Sequence, residues 1–247
     1  MDSKKTANML NTIWDRYDSI DSVLVVRNGY LILEAYRKPW NAQTRHIIYS
    51  CTKSVSSALI GIAIDKGYIK DVNRPVLSFF PEYTVKNLNE NKKAMTLEHV
   101  LTMTTGLECR DSYRFRWAGL TSMHLSEDWA KHVLDLPMTA KPGTIFEYCN
   151  GASFLLTAII QKTTGMSALS FAEKHLFEPL GISDVEWFSN PQGITIGYSK
   201  LHLRPRDMAK IGYLYLHKGM WEGNRIISHH WVQESTRKHI NGTLADG

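Results

Sequence analysis

The chain has 247 residues, with 29 Lys+Arg against 24 Asp+Glu and a formal net charge of +5, and it is long enough for one large domain or two. The basic residues are scattered, with no run longer than Lys92-Lys93 and no basic helix face, so nucleic-acid binding has no positive support. The longest apolar stretches, such as "ALIGIAI", fall far short of the roughly 20 residues of a membrane span.

The opening "MDSKKTANML" has charge but no apolar run behind it, so no signal peptide is visible. As the chain stands the compartment reads as cytoplasmic; a shortened N-terminus would leave the periplasm or secretion open. Residues 3–17 place Ala7, Leu10, Ile13, Trp14 and Tyr17 at helical spacing. "SVLVVRNGYLILEAY" then reads as two strands around Asn28-Gly29, a dipeptide suited to the positive φ angles of a tight hairpin. Both strands are nearly all apolar, which predicts a sheet covered on both faces.

A helix is expected from about Ser50 to Lys66, with Gly67 as a left-handed cap. Beyond residue 71 the expected helices are 96–104, 126–135, 150–164, 168–177, 205–217 and 228–237. This divides the chain into residues 1–70, a hairpin and helix of a sheet domain, and residues 71–247, a mostly helical domain. A lone hairpin is marginal in water, so the rest of the sheet is expected beyond residue 247, past the closing "HINGTLADG". Cys51, Cys109 and Cys149 suggest neither a disulfide framework nor paired metal ligands.

The chemistry concentrates in "YSCTKSVSS", residues 49–57. On a helix Ser50, Lys53, Ser54, Ser57 and Gly61 share one small, polar face, opposite Val55, Leu59 and Ile62. Ser50 sits at the first turn, where the helix dipole favours developing negative charge. A serine hydroxyl becomes nucleophilic when a neighbouring base takes its proton, and a desolvated lysine can be that base. The same stripe also suits plain helix packing, and Cys51 is a second, weaker candidate nucleophile pointing about 100° away from the Ser50 face.

A second segment, "PGTIFEYCNGASFLLTAIIQKTTG" (142–165), places Tyr148-Cys149-Asn150 just before a helix. With it the chain resembles the serine β-lactamase and penicillin-binding-protein superfamily, in its class C-like hydrolase branch, which pairs S-x-x-K with Y-x-N. The likeness continues in "LVVRNGYLILEAY", "TLEHVLTMTTGL", "FEPLGISDVEW" and "RPRDMAKIGYLYLHKG". It implies an α/β (α+β) β-lactamase/transpeptidase-like fold, with Ser50 as acyl-enzyme nucleophile and Lys53 as its proton partner. Tyr148 would be a general base or proton shuttle, and Asn150 would hold Lys53 and orient a substrate carbonyl. The Ser50 backbone N–H would be one oxyanion donor.

That chemistry uses no metal and no cofactor, and its partner is a small-molecule ester, amide or β-lactam. The family's third motif, a Lys or His, a small residue and Gly on a strand, has no match. "KTTG" (162–165) and "HKG" (217–219) both read as helix ends, and in the family that strand follows the point where this sequence stops. The rival expectation is a penicillin-recognising fold that binds a ligand without turnover. His229-His230 reads as a solvent-facing helix start, and His46 as a connector.

Overall fold

The computed structural model describes residues 2–112 and 115–241. Helix α1 (Ser3–Arg16) starts at Asp2, whose carboxylate accepts the N–H groups of Lys4 and Lys5. Strands β1 (Ser22–Arg27) and β2 (Tyr30–Tyr36) pair antiparallel around Asn28 (φ 50°) and Gly29 (φ 81°), as the dipeptide predicts. Arg37 ties the end of β2 to α1 by donating to the carbonyls of Trp14 and Tyr17.

The expectation of a hairpin covered on both faces is not met among the described residues. None of its residues is buried, and Val26, Tyr30, Leu31 and Ile32 are exposed. A bulge between Val25 and Val26 also shifts the register towards the turn.

The core lies further on. A short 3₁₀ turn, Tyr49–Cys51, leads into α2 (Thr52–Asp65), which buries Val55, Ala58, Leu59, Ile62 and Ala63. Its main partner is α7 (Asn150–Thr164), buried from Asn150 to Ile160. Around this pair stand α4 (Leu97–Leu101), α5 (Ala118–His124), α6 (Trp129–Asp135) and α8 (Ala168–Ala172), and the short α3 (Glu90–Lys93) precedes α4. The α7 bounds match the expectation; Cys149 is its N-cap and Gly165, at φ 72°, its left-handed cap, so "KTTG" is a helix end.

Other bounds move for identifiable reasons. Helix α6 starts at Trp129 instead of 126 because Asp128 accepts the N–H of Lys131. The expected helix 168–177 divides into α8 and a π-helical turn, Glu173–Phe177. Helices α3 and α5 had no expectation; α3 carries Lys92, which is buried and donates to the carbonyls of Lys86, Leu134 and Leu136.

A small antiparallel sheet of order β3-β5-β4 was also not foreseen, built from β3 (His46–Ile47), β4 (Glu186–Trp187) and β5 (Leu201–Leu203). It places the chain entering the Ser50 turn beside the 194–200 segment, since Ile48 donates to Leu201 O at 2.9 Å. Helix α9 (Pro205–Leu216) then packs on β1, a turn of β6 (Met220–Trp221) and β7 (Asn224–Arg225) follows, and α10 (His229–Thr236) closes on α2. The "HKG" letters lie just after α9, in the turn between α9 and β6. Of the closing "HINGTLADG", residues 242–247 lie outside the described residues.

A further expectation is overturned. Cys109 and Cys149 form a disulfide across 40 residues, with Cα atoms 5.5 Å apart, while Cys51 is free and exposed. Their pairing comes from the tertiary approach of two loops, which spacing along the chain does not encode.

Candidate active site

Tyr49, at φ 43°, adopts a left-handed backbone unusual for a bulky side chain. It turns the chain so that Ser50 is exposed at the mouth of the α2 helix, with Lys53 half-buried one turn deeper. Lys53 Nζ lies 3.2 Å from Ser50 Oγ, the i, i+3 contact that helical spacing predicts. Tyr148, from the loop before α7, places its hydroxyl 2.8 Å from the same Ser50 oxygen. The Lys53 amine also lies over the Tyr148 ring, 4.8 Å from its centroid.

The remaining ligand of Lys53 is the Tyr198 carbonyl, at 2.9 Å. That carbonyl is held in place by close packing. Ser56 Oγ donates to Gly197 O at 2.7 Å, and a Cβ at Gly197 would stand 2.4 Å from Ser153 O. The Tyr198 hydroxyl in turn meets His124 Nε2 at 2.6 Å, and the His124 ring stacks on Trp129.

Burial lowers the Lys53 pKa from 10.5 to about 8, with the negative charge of Asp111 pulling against it. Burial, followed by the Asp111 charge, raises the Tyr198 phenol and keeps it neutral. Burial likewise lowers His124, so its imidazole is neutral near pH 7.

Residues 147–150 are fastened on the side away from Ser50. The Glu147 carboxylate accepts the N–H groups of Cys109 and Arg110, at 2.9 and 3.1 Å. Glu147 N donates to Met103 O at 2.9 Å, and Cys149 is bonded to Cys109. Asn150 N donates to Asp111 Oδ2 at 2.7 Å. Tyr148, between these anchors, faces the serine, and the Trp117 ring meets it edge-on with centroids 6.4 Å apart.

The structure therefore brings Ser50, Lys53 and Tyr148 into one hydrogen-bonded group. Asn150 is buried behind Tyr148, and its backbone and side chain both turn to Asp111. Sequence reasoning passed over Asp111, Tyr198, His124 and Glu147. Each is an isolated polar letter in loop-like text, and only the Cys109–Cys149 pair, flanking Asp111 and Glu147, could have flagged their segments. His46 is held by Asp21 at 3.2 Å, consistent with a connector. Among the described residues no group of His, Cys, Asp and Glu could hold a metal ion, and no helix is long and apolar enough to cross a membrane.

Comparison with known proteins places the chain among relatives. It is 24% identical over 224 residues to the 6-aminohexanoate-dimer hydrolase of Paenarthrobacter ureafaciens, covering 86% of this chain and 56% of that one. Among solved structures, a candidate 6-aminohexanoate-dimer hydrolase from Bacillus anthracis superposes with a TM-score of 0.77 at 22% identity, over 92% of this chain and 61% of that one. A family VIII carboxylesterase does so with a TM-score of 0.74 at 16% identity, over 96% of this chain and 75% of the other. These likenesses show a shared fold, and the chain spans just over half the length of the curated relative. The beta-lactamase family model matches residues 20–235, most of the sequence. The chain belongs to the beta-lactamase family.

Proposed function

We propose that the protein is a serine hydrolase of the class C-like branch, cleaving small esters or amides through a covalent acyl-enzyme. The observation that carries this reading is the Lys53–Ser50–Tyr148 chain, with both partners within hydrogen-bonding reach of one exposed serine oxygen. In the acylation step Ser50 Oγ bonds to the substrate carbonyl carbon and its proton passes to the neutral Lys53 amine or the Tyr148 oxygen. The carbonyl oxygen becomes an oxyanion facing the Ser50 backbone N–H.

When the tetrahedral adduct collapses, the bond to the leaving group breaks and that group takes the proton back through Tyr148. Water then attacks the Ser50 ester by the same path, releasing the acid and restoring the hydroxyl. A lysine with a pKa near 8 suits both directions of transfer, because about a tenth of it is neutral at pH 7. Asn150, buried at the head of α7 with its backbone N–H on Asp111, would orient a substrate carbonyl or amide only after its side chain turns away from that carboxylate.

Relatives described as an aminohexanoate-dimer hydrolase and a carboxylesterase mark the range of esters and amides to be tried. The test is turnover of a panel: a p-nitrophenyl ester, a chromogenic cephalosporin and a 6-aminohexanoyl anilide. Hydrolysis of at least one by the wild type and none by Ser50→Ala supports the reading. Equal rates for the two proteins contradict it.

A further inference from the structure

Among the described residues, the two hydrogen bonds that Lys53 donates both end on neutral oxygens, Ser50 Oγ and Tyr198 O. A half-buried ammonium with only neutral partners calls for a compensating charge nearby. The residues packed around it come from four places. Ser50 and Cys51 stand on its own turn, Tyr148 on the loop before α7, and Tyr198 on the segment before β5. The fourth is Asp111, at the end of the 107–111 strip, whose charge reaches the amine without a direct hydrogen bond or ion pair to it.

Asp111 is 3% exposed, which is rare for an aspartate. Its Oδ2 receives the Asn150 N–H, two residues after Tyr148. Its Oδ1 is buried beside Gly119 in the first turn of α5, where a Cβ would come within 2.8 Å, and the Leu120 backbone and Asn150 side chain also turn to this carboxylate. Its position is fixed from behind by the Cys109–Cys149 disulfide and by Glu147 on the N–H groups of Cys109 and Arg110. The surrounding groups that feel its charge are Lys53, His124 and Tyr198.

We propose that Asp111 is the buried counter-charge of this site: one carboxylate anchors the tyrosine loop through Asn150 and governs how tightly Lys53 holds its proton. It is a positioning residue, acting through Lys53 and Tyr148 without touching substrate. This role deepens the serine hydrolase reading and rests on it. Mutual interaction runs in the expected directions, the Asp111 charge raising Lys53 and the Lys53 charge lowering Asp111, against the dominant effect of burial on each.

The experiment measures Lys53 directly. The intact protein is exposed to acetic anhydride in competitive labelling across about pH 6 to 10, and acetylation of Lys53 is followed by peptide mass spectrometry. The wild type should show a midpoint near 8. Asp111→Asn keeps an oxygen acceptor for Asn150 N–H but removes the charge, and its midpoint should fall by about one pH unit. Asp111→Glu should leave the midpoint in place. If Asp111→Asn does not fold, Asp111→Ser supplies the same comparison with a smaller neutral acceptor.

A folded neutral variant whose midpoint coincides with the wild type overturns the proposal, because an anchor alone would slow turnover without moving Lys53. The labelling needs no turnover. A protein that fails to hydrolyse any substrate while the Lys53 midpoint shifts would reject the hydrolase reading and keep the counter-charge.

Discussion

Ser50 Oγ and Tyr148 OH, 98 residues apart in the sequence, lie 2.8 Å from each other. The contact joins the start of α2 to the start of α7, the two most deeply packed helices of the core. Removing only the phenol oxygen tests what the contact does. Tyr148→Phe should fold normally, since the ring keeps its edge-on contact with Trp117, and should lower kcat by about 10²- to 10⁴-fold. A rate within twofold of the wild type on an ester substrate would remove Tyr148 from the proton path.

The rate should depend on pH through Lys53. Its folded pKa, about 8, lies below the ordinary 10.5, and the neutral amine is the form that accepts the serine proton. Thus kcat/KM should rise about tenfold per pH unit below 8 and level off above it. The same sign appears in stability. The unfolded chain binds the Lys53 proton more tightly than the folded one, so stability should increase as pH rises from about 8 towards 10.5. Steady-state kinetics across that range read the first effect, and a flat profile would place the base elsewhere.

Reduction should affect both stability and rate. The Cys109–Cys149 bond closes a loop spanning 40 residues, for which chain entropy alone gives a stabilisation of about 4 kcal/mol. It also anchors the residue next to Tyr148. Cys109→Ser with Cys149→Ser should lower the midpoint of urea unfolding and reduce kcat at temperatures where the fold persists. Thermal or urea melts with and without a thiol reductant, paired with ester hydrolysis, measure the two separately.

Gly197 has no room for a side chain. A Cβ there would press on Ser153 O and on Thr157 Cγ2, at 2.4 and 2.8 Å. Gly197→Ala should therefore destabilise by about 1–3 kcal/mol and displace the Tyr198 carbonyl from Lys53. A calorimetric melt checks the first effect and the Lys53 acetylation midpoint the second.

The reach of the sequence followed physical scale. Helix α7 was legible to the residue because a polar start, a continuous buried run and a terminal glycine all point the same way. The Asn28-Gly29 hairpin was equally plain, and the Ser50–Lys53 contact needed only helical spacing. Strands of two or three residues, such as β3 and β4, are shorter than any periodic signal, so the small sheet beside the Ser50 turn was missed. Helix α5 begins after two left-handed residues, Arg116 and Trp117, with no side-chain cap, and carries no start signal.

The candidate site divides the same way. Ser50, Lys53, Tyr148 and Asn150 sit in triplets that can be read locally. Asp111, Tyr198 and the Cys109–Cys149 bond depend on loops meeting in space, and the expectation of unpaired cysteines failed for that reason. Coverage of the hairpin on both faces failed because an apolar strand reports what it can bury against and not what the described residues supply.

Whether Ser50 is the nucleophile of an acyl-enzyme is read straight from a covalent adduct. The folded protein is incubated with a fluorophosphonate and digested, and the modified residue is located by mass spectrometry. One adduct is expected, on Ser50, absent in Ser50→Ala and slower to form in Tyr148→Phe. An adduct on Cys51, or none on folded protein, would contradict that role for Ser50.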